Sequence, residues 1–225
     1  MRMETSRKAR VKICCIKNVE EAKLAVKYGA SALGLVSEMP SGPGVISEEE
    51  IFRIAKTISP PIVTFLLTSK NDAKEIIKQQ KRLGANTIQI VDKLQTGSHK
   101  QIKEALPGIK IVQVVHVVDE NSVTEAIKVS ENVDAILLDS GNPNLEVKEL
   151  GGTGRVHNWE LSREIREKIS VPLFLAGGLN HTNVREAIET VSPFAVDVCG
   201  GVRTKGNLDE NKLKLFLDEV NGLSK

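Results

Sequence analysis

A chain of 225 residues with 40% hydrophobic side chains holds enough apolar mass for one large core, and its formal net charge of +2 gives no reason to expect a nucleic acid or an acidic membrane as partner. Three cysteines, two of them adjacent, make a poor disulfide framework and lack zinc spacing, and the four histidines show no metal pattern, so a reducing compartment and no metal site are expected. No apolar run approaches the ~20 residues of a membrane span, and the polar, basic first ten residues lack a signal core, so a soluble cytoplasmic protein is expected.

Short apolar runs rich in Val, Ile and Leu, as strands covered on both faces should be, occur at 11–16, 31–36, 62–67, 86–91, 110–115, 133–139, 171–175 and 194–198. Amphipathic segments with polar starts lie at about 19–28, 47–58, 71–83, 99–106, 120–129, 160–169, 180–191 and 208–221. Ser47 with Glu50 reads as a capping box before Ile51 and Ile54, Asn180 opens a helix, and Gly29 and Gly84 stand where helices should stop. Eight such alternations predict an α/β chain folded as a single (β/α)₈ TIM barrel over 11–225, behind a flexible N-terminal extension of 1–10. A doubly wound open sheet is the alternative, and the lack of Gly-x-Gly-x-x-Gly after the first strand argues against it.

The first run carries Lys12-Ile13-Cys14-Cys15-Ile16. Strand alternation puts Lys12 and Cys14 on one face, and Val11, Ile13 and Cys15 on the other. Cys14 is then a candidate base or nucleophile beside an ammonium, or else a small core residue, while Cys15 packs among aliphatics. Inside a barrel the Lys12 charge must be paired, and Asp197 on the eighth strand stands at a comparable depth. Cys199 is a candidate to approach Cys14 across the same seam.

Further along, Asp139 ends an apolar strand, where it either caps the next loop or, partly desolvated, serves as a general acid. A long irregular stretch at 140–158 follows, with Gly151, Gly152 and Gly154. Glycine pairs then follow strands seven (Gly177, Gly178) and eight (Gly200, Gly201), where barrels bind phosphate through bare backbone amides, although glycines also make ordinary turns. His116 follows strand five and either faces the site or, the preferred reading, is a loop residue; His99 and His181 read as helix-start surface residues, and His157 as a packing residue.

Taken as an ordered set, these segments resemble the phosphoribosylanthranilate isomerase family over nearly the whole chain. The set is Lys12-Ile13-Cys14-x-Ile16, Leu137-Leu138-Asp139, Gly151-Gly152-Thr153-Gly154, Ala176-Gly177-Gly178-Leu179-Asn180 and Pro193-Phe194-Ala195-Val196-Asp197-Val198. The resemblance implies Cys14 as general base and Asp139 as general acid in an Amadori rearrangement of N-(5-phosphoribosyl)anthranilate in tryptophan biosynthesis, with no cofactor. It implies a small phosphorylated sugar as substrate, no nucleic acid or membrane partner and an open oligomeric state, with the phosphate held by Gly152, Gly154, Gly177, Gly178, Gly200 and Gly201. The alternative is a paralogous barrel isomerase acting on a different phosphosugar, or a non-catalytic protein binding one.

Around the aromatic end of the substrate the chain departs from the family pattern. Cys15 replaces a usual Gly, and Lys17 a usual Thr. Gly44 stands at the position of the arginine that meets the anthranilate carboxylate, and Val91 follows Gln89-Ile90 where the family has His. His157-Asn158 replaces Phe-Asp, and Arg203 a glutamate. Lys17, Gln89 and Arg203 are accordingly candidate substrate contacts, with Lys17 or Arg203 supplying the missing charge.

Overall fold

The structure, a computed structural model, describes residues 9–141, 150, 152 and 154–222. Strands and helices alternate as β1 (Arg10–Ile13), α1 (Val19–Lys27), β2 (Ala32–Val36), α2 (Glu48–Thr57), β3 (Val63–Thr68), α3 (Ala73–Leu83), β4 (Thr87–Ile90) and α4 (His99–Ala105). They continue as β5 (Lys110–His116), α5 (Asn121–Ser130), β6 (Ala135–Asp139), α6 (Trp159–Lys168), β7 (Leu173–Leu175), α7 (Val184–Val191), β8 (Ala195–Val198) and α8 (Glu210–Gly222). Every neighbouring pair among these eight strands is parallel, and β8 returns to β1, so the sheet closes into a barrel and the open-sheet alternative falls; a short antiparallel ribbon, Arg203–Thr204 with Asn207–Leu208, stands apart from it. The barrel begins at Arg10, one residue before the expected boundary, and residues 1–8 of the expected extension lie outside the described residues.

Strand alternation sorts the core into two layers. Val11, Ile13, Leu33, Leu35 and Ile88 point outward into the layer shared with the helices. Cys14, Ala32, Phe65, Val112, Leu137 and Phe174 fill the barrel interior. Local signals set the helix ends. The Ser47 hydroxyl accepts the Glu50 N–H at 3.2 Å, but the Glu50 carboxylate turns to Arg53, so only half of the expected capping box forms. Gly84 closes α3 in the left-handed conformation at φ +69°. The helix expected from Asn180 begins at Val184, because Asn180 to Asn183 form a turn in which the Asn183 side chain accepts the Asn180 N–H.

Lys12 is opposite Asp197 in the β1–β8 register, and its Nζ reaches Asp197 Oδ2 at 2.8 Å. The expected pair therefore exists, and Lys12 is wholly buried. The Phe65 ring lies 5.2 Å from the same ammonium. Replacing one member strands a charge in the barrel, so Lys12→Met should lower unfolding free energy by about 3–5 kcal/mol. Chemical denaturation measures it, and Lys12→Met with Asp197→Leu should recover most of the loss; a silent single variant would contradict the pairing.

Candidate active site

At the C-terminal ends of the strands lies a cavity of about 320 Å³, whose wall includes Cys14, Gln89, Asp139, Asp197 and the glycines 152, 154, 177, 178, 200 and 201. The strand-end residues and glycines expected at the site thus share one cavity, and an apolar wall of Val36, Met39, Pro43, Leu67, Val91 and Leu150 completes it.

Cys14 sits one residue beyond β1, tied by its N–H to the Val198 carbonyl at 2.8 Å. Burial pushes its thiol up to about 11, a rise opposed by the Lys12 ammonium and aided by Asp197. The room for the thiol comes from Gly34 on β2. A methyl group there would come within 2.7 Å of the Cys14 sulfur and 3.2 Å of Lys12 Nζ. Lys12 itself is held above its ordinary value: burial would lower it, but Asp197 and then Cys14 outweigh burial.

Asp139 closes β6 with its carboxyl on the cavity, and Ser140 N–H donates to Oδ1 at 2.7 Å. Burial raises it to about 6, with the Ser140 bond working against the rise. Asp197, lifted by burial against the pull of Lys12, keeps its second oxygen, Oδ1, without a hydrogen-bond partner among the described residues. Gln89 Oε1 is likewise unpartnered there, so two buried acceptors belong to residues on the wall.

The glycines differ in what they permit. Gly178 has φ +63°, and a side chain on it would strike the Arg155 and Val156 backbone. Gly200 and Gly201 open a 3₁₀ turn, Gly200–Val202, and a side chain on Gly201 would collide with the Leu179 carbonyl. Among the described residues no acceptor is recorded for the backbone N–H groups of Gly178, Gly200 and Gly201. That combination suits an anion.

Several expectations need correction. Cys15 does not follow the strand alternation: it lies past β1 at φ +62°, a conformation natural to glycine, and joins the interior cluster. Its sulfur is bonded to Cys199, so Cys199 meets Cys15 rather than Cys14, and the chain does carry a disulfide. Arg203 does not line the cavity. Its guanidinium donates to the Cys14 and Cys15 carbonyls at 3.3 and 2.5 Å and pairs with Glu21 at 2.9 Å. Lys17 also faces away, its ammonium 3.3 Å from where a side chain on Gly206 would begin. Neither supplies a charge to the cavity, and its described lining contains no Arg or Lys.

Glu21 is the residue that sequence reasoning missed. It accepts from Arg203, from Leu208 N–H at 2.9 Å and from Lys17 N–H at 3.0 Å. Burial would raise its carboxyl, but these bonds hold it below the usual range. An acid in the first turn of α1 reads as ordinary dipole compensation, and its partner lies 182 residues away. Gly44 is in contact with the same loop: at φ +80°, a side chain there would run into the Cys15 Cβ.

The histidines stay outside. His116 ends β5 and meets the Val91 carbonyl at 3.3 Å. His99 is half-buried against Gln113 rather than on the surface, His181 is half-buried with its Nδ1 enclosed, and His157 bonds Ser162 at 2.8 Å. No group of three His, Cys, Asp or Glu among the described residues could hold a metal, and no described helix is long and apolar enough to cross a membrane.

Residues 11–219 match the family model described as N-(5′-phosphoribosyl)anthranilate (PRA) isomerase. A Methanosarcina acetivorans protein named N-(5′-phosphoribosyl)anthranilate isomerase is 36% identical, over 97% of this chain and 96% of its own. Methanosarcina mazei N-(5′-phosphoribosyl)anthranilate isomerase 2 is also 36% identical, over 92% of each. The crystal structure of the Thermotoga maritima phosphoribosyl anthranilate isomerase superposes with a TM-score of 0.80 at 31% identity, covering 95% of this chain and 99% of that one. Another, with a TM-score of 0.77 at 29% identity and the same coverage, holds reduced 1-(o-carboxyphenylamino)-1-deoxyribulose 5-phosphate.

Because burial governs the Cys14 thiol, its alkylation by iodoacetamide in unreduced protein should climb about tenfold per pH unit up to about pH 11. Mass spectrometry of the labelled peptide measures it. A plateau near pH 8 would show that the ammonium prevails over burial.

Proposed function

The chain belongs to the N-(5′-phosphoribosyl)anthranilate isomerase family, and from that premise we infer the reaction it catalyses. It is the Amadori rearrangement of N-(5-phosphoribosyl)anthranilate to 1-(2-carboxyphenylamino)-1-deoxyribulose 5-phosphate, a step of tryptophan biosynthesis. The observation that carries this reading is one cavity holding a thiol and a raised carboxyl beside backbone amides with no acceptor among the described residues. The names of the relatives do not favour the alternative, a different phosphosugar.

Asp139 gives its proton to the furanose ring oxygen, the C1–O bond opens, and the anthranilate nitrogen lone pair completes a Schiff base. Cys14, as thiolate, removes the C2 proton to leave an enolamine. Return of that proton to C1, and of the 2-hydroxyl proton to Asp139, gives the ketone and restores both groups. A carboxyl at about 6 keeps a protonated fraction near neutrality, which supports Asp139 as the acid. Lys12 supports Cys14 as the base, since its ammonium favours the thiolate against burial. The amides of Gly178, Gly200 and Gly201 would take the phosphate, with Gly152, Gly154 and Gly177 shaping the wall around it. The apolar wall from Val36 to Leu150 would take the aromatic ring, and Gln89 Oε1 a sugar hydroxyl. The same reading takes 11–225 as one domain behind a short N-terminal extension, working in the cytoplasm where phosphorylated intermediates are made.

Loss of anthranilate-type fluorescence on mixing with fresh substrate measures turnover. Cys14→Ala and Asp139→Asn should each lower it by roughly 10²–10⁴-fold while the protein stays folded; wild-type protein no faster than Cys14→Ala would sink the reading. The pH profile follows from the two groups. The active form needs Asp139 protonated and Cys14 ionised, the reverse of the resting order. Thus kcat/KM should rise to about pH 6, stay level while the two titrations cancel, and fall above about 11.

A further inference from the structure

The bond between Cys15 and Cys199 has no place in the isomerisation, yet it lies at the active-site mouth. Cys15 directly follows the base, and Cys199 directly precedes Gly200 and Gly201. Both line the cavity, Cys15 buried and Cys199 partly buried. We propose that Cys15 and Cys199 are a redox modification site, a disulfide that dithiols open from the active-site mouth and whose state sets how firmly the phosphate is held.

The chemistry follows from access. A reductant thiolate enters from the cavity and attacks the sulfur of Cys199, the less buried of the two, and the Cys15 sulfur leaves as a thiolate on the residue whose carbonyl the Arg203 guanidinium holds. The second thiol of the reductant then attacks the mixed disulfide. Two electrons and two protons pass to the protein, giving two cysteine thiols and one oxidised dithiol. A disulfide in a reducing compartment is typically of this transient or sensing kind.

The effect follows from what the bond restrains. Cys15 is held at φ +62°, a backbone conformation that cysteine rarely adopts. Cutting the bond lets Cys15 relax and frees Cys199, and with it the turn whose amides face the anion. A pre-ordered anion site becomes one that must be ordered on binding, so affinity falls. Linkage makes the effect reciprocal: an anion that prefers the oxidised form protects the bond from reduction. The proposal rests on the phosphate reading given above, and the thiol count separates failure of one from failure of the other.

Protein purified without reductant should show one thiol when denatured and titrated with Ellman's reagent, and three after dithiothreitol. Peptide mapping should link the segments containing Cys15 and Cys199. Reduction should raise KM and the inhibition constant of inorganic phosphate together by roughly three- to tenfold, with a smaller change in kcat. Inorganic phosphate should slow the reduction. Cys199→Ser should match the reduced protein and ignore dithiothreitol; if it fails to fold, wild-type protein in its two states gives the same comparison. Three thiols before reduction, or equal phosphate inhibition in both states, overturns the proposal. If inorganic phosphate inhibits neither state, the phosphate reading fails and the proposed control with it, whereas a count of one thiol still establishes the bond.

Discussion

The Lys12–Asp197 ion pair is the constraint around which the rest is arranged. It lies where the first and last strands meet, the one junction of the barrel that no βα unit bridges. Parallel strands there could slip by two residues and still present apolar faces outward, but a slip would pull the buried ammonium away from its carboxylate. The pair therefore fixes the register of closure. It also puts an ammonium beneath Cys14 and leaves an oxygen of Asp197 without a partner among the described residues. One buried interaction thus fixes barrel closure, sets an ammonium against the effect of burial on the Cys14 thiol and supplies a portion of the cavity wall. Such a pair adds little net stability over an apolar substitute, but removing half of it is severe.

The barrel was legible because its signal is local and repeated. A strand covered on both faces must be apolar throughout, a covering helix must be amphipathic, and eight alternations leave few architectures. Lys12 was legible for a related reason: a charge inside an apolar strand needs a partner, and few were available. Cys15 was misread because alternation was carried beyond the end of β1, at Ile13, into a residue whose φ is positive. The disulfide and the Glu21–Arg203 pair were illegible, since each joins residues over 180 positions apart through loop conformations that no periodicity encodes.

The departures from the family pattern become coherent in space. Arg203, where the resemblance leads one to expect a glutamate, does not reach the cavity. It clamps the loop behind Cys14 through two carbonyls and Glu21. Cys15, where glycine is usual, retains the backbone conformation that glycine would take. Arg203 and Cys15 thus belong to the frame behind Cys14, while the described cavity lining holds an apolar stretch from Val36 to Leu150 and no Arg or Lys.

The contact between Gly44 and Cys15 ties two loops at the cavity rim into one unit. A side chain at 44 would run into the Cys15 Cβ and lie 2.9 Å from its Cα, so even glycine at 15 would not make room for it. Gly44 also sits at φ +80°, where a side chain is strained whatever the space. A long side chain at 44 therefore needs the turn that carries Gly44 to move, and the neighbouring wall at Met39 and Pro43 would move with it.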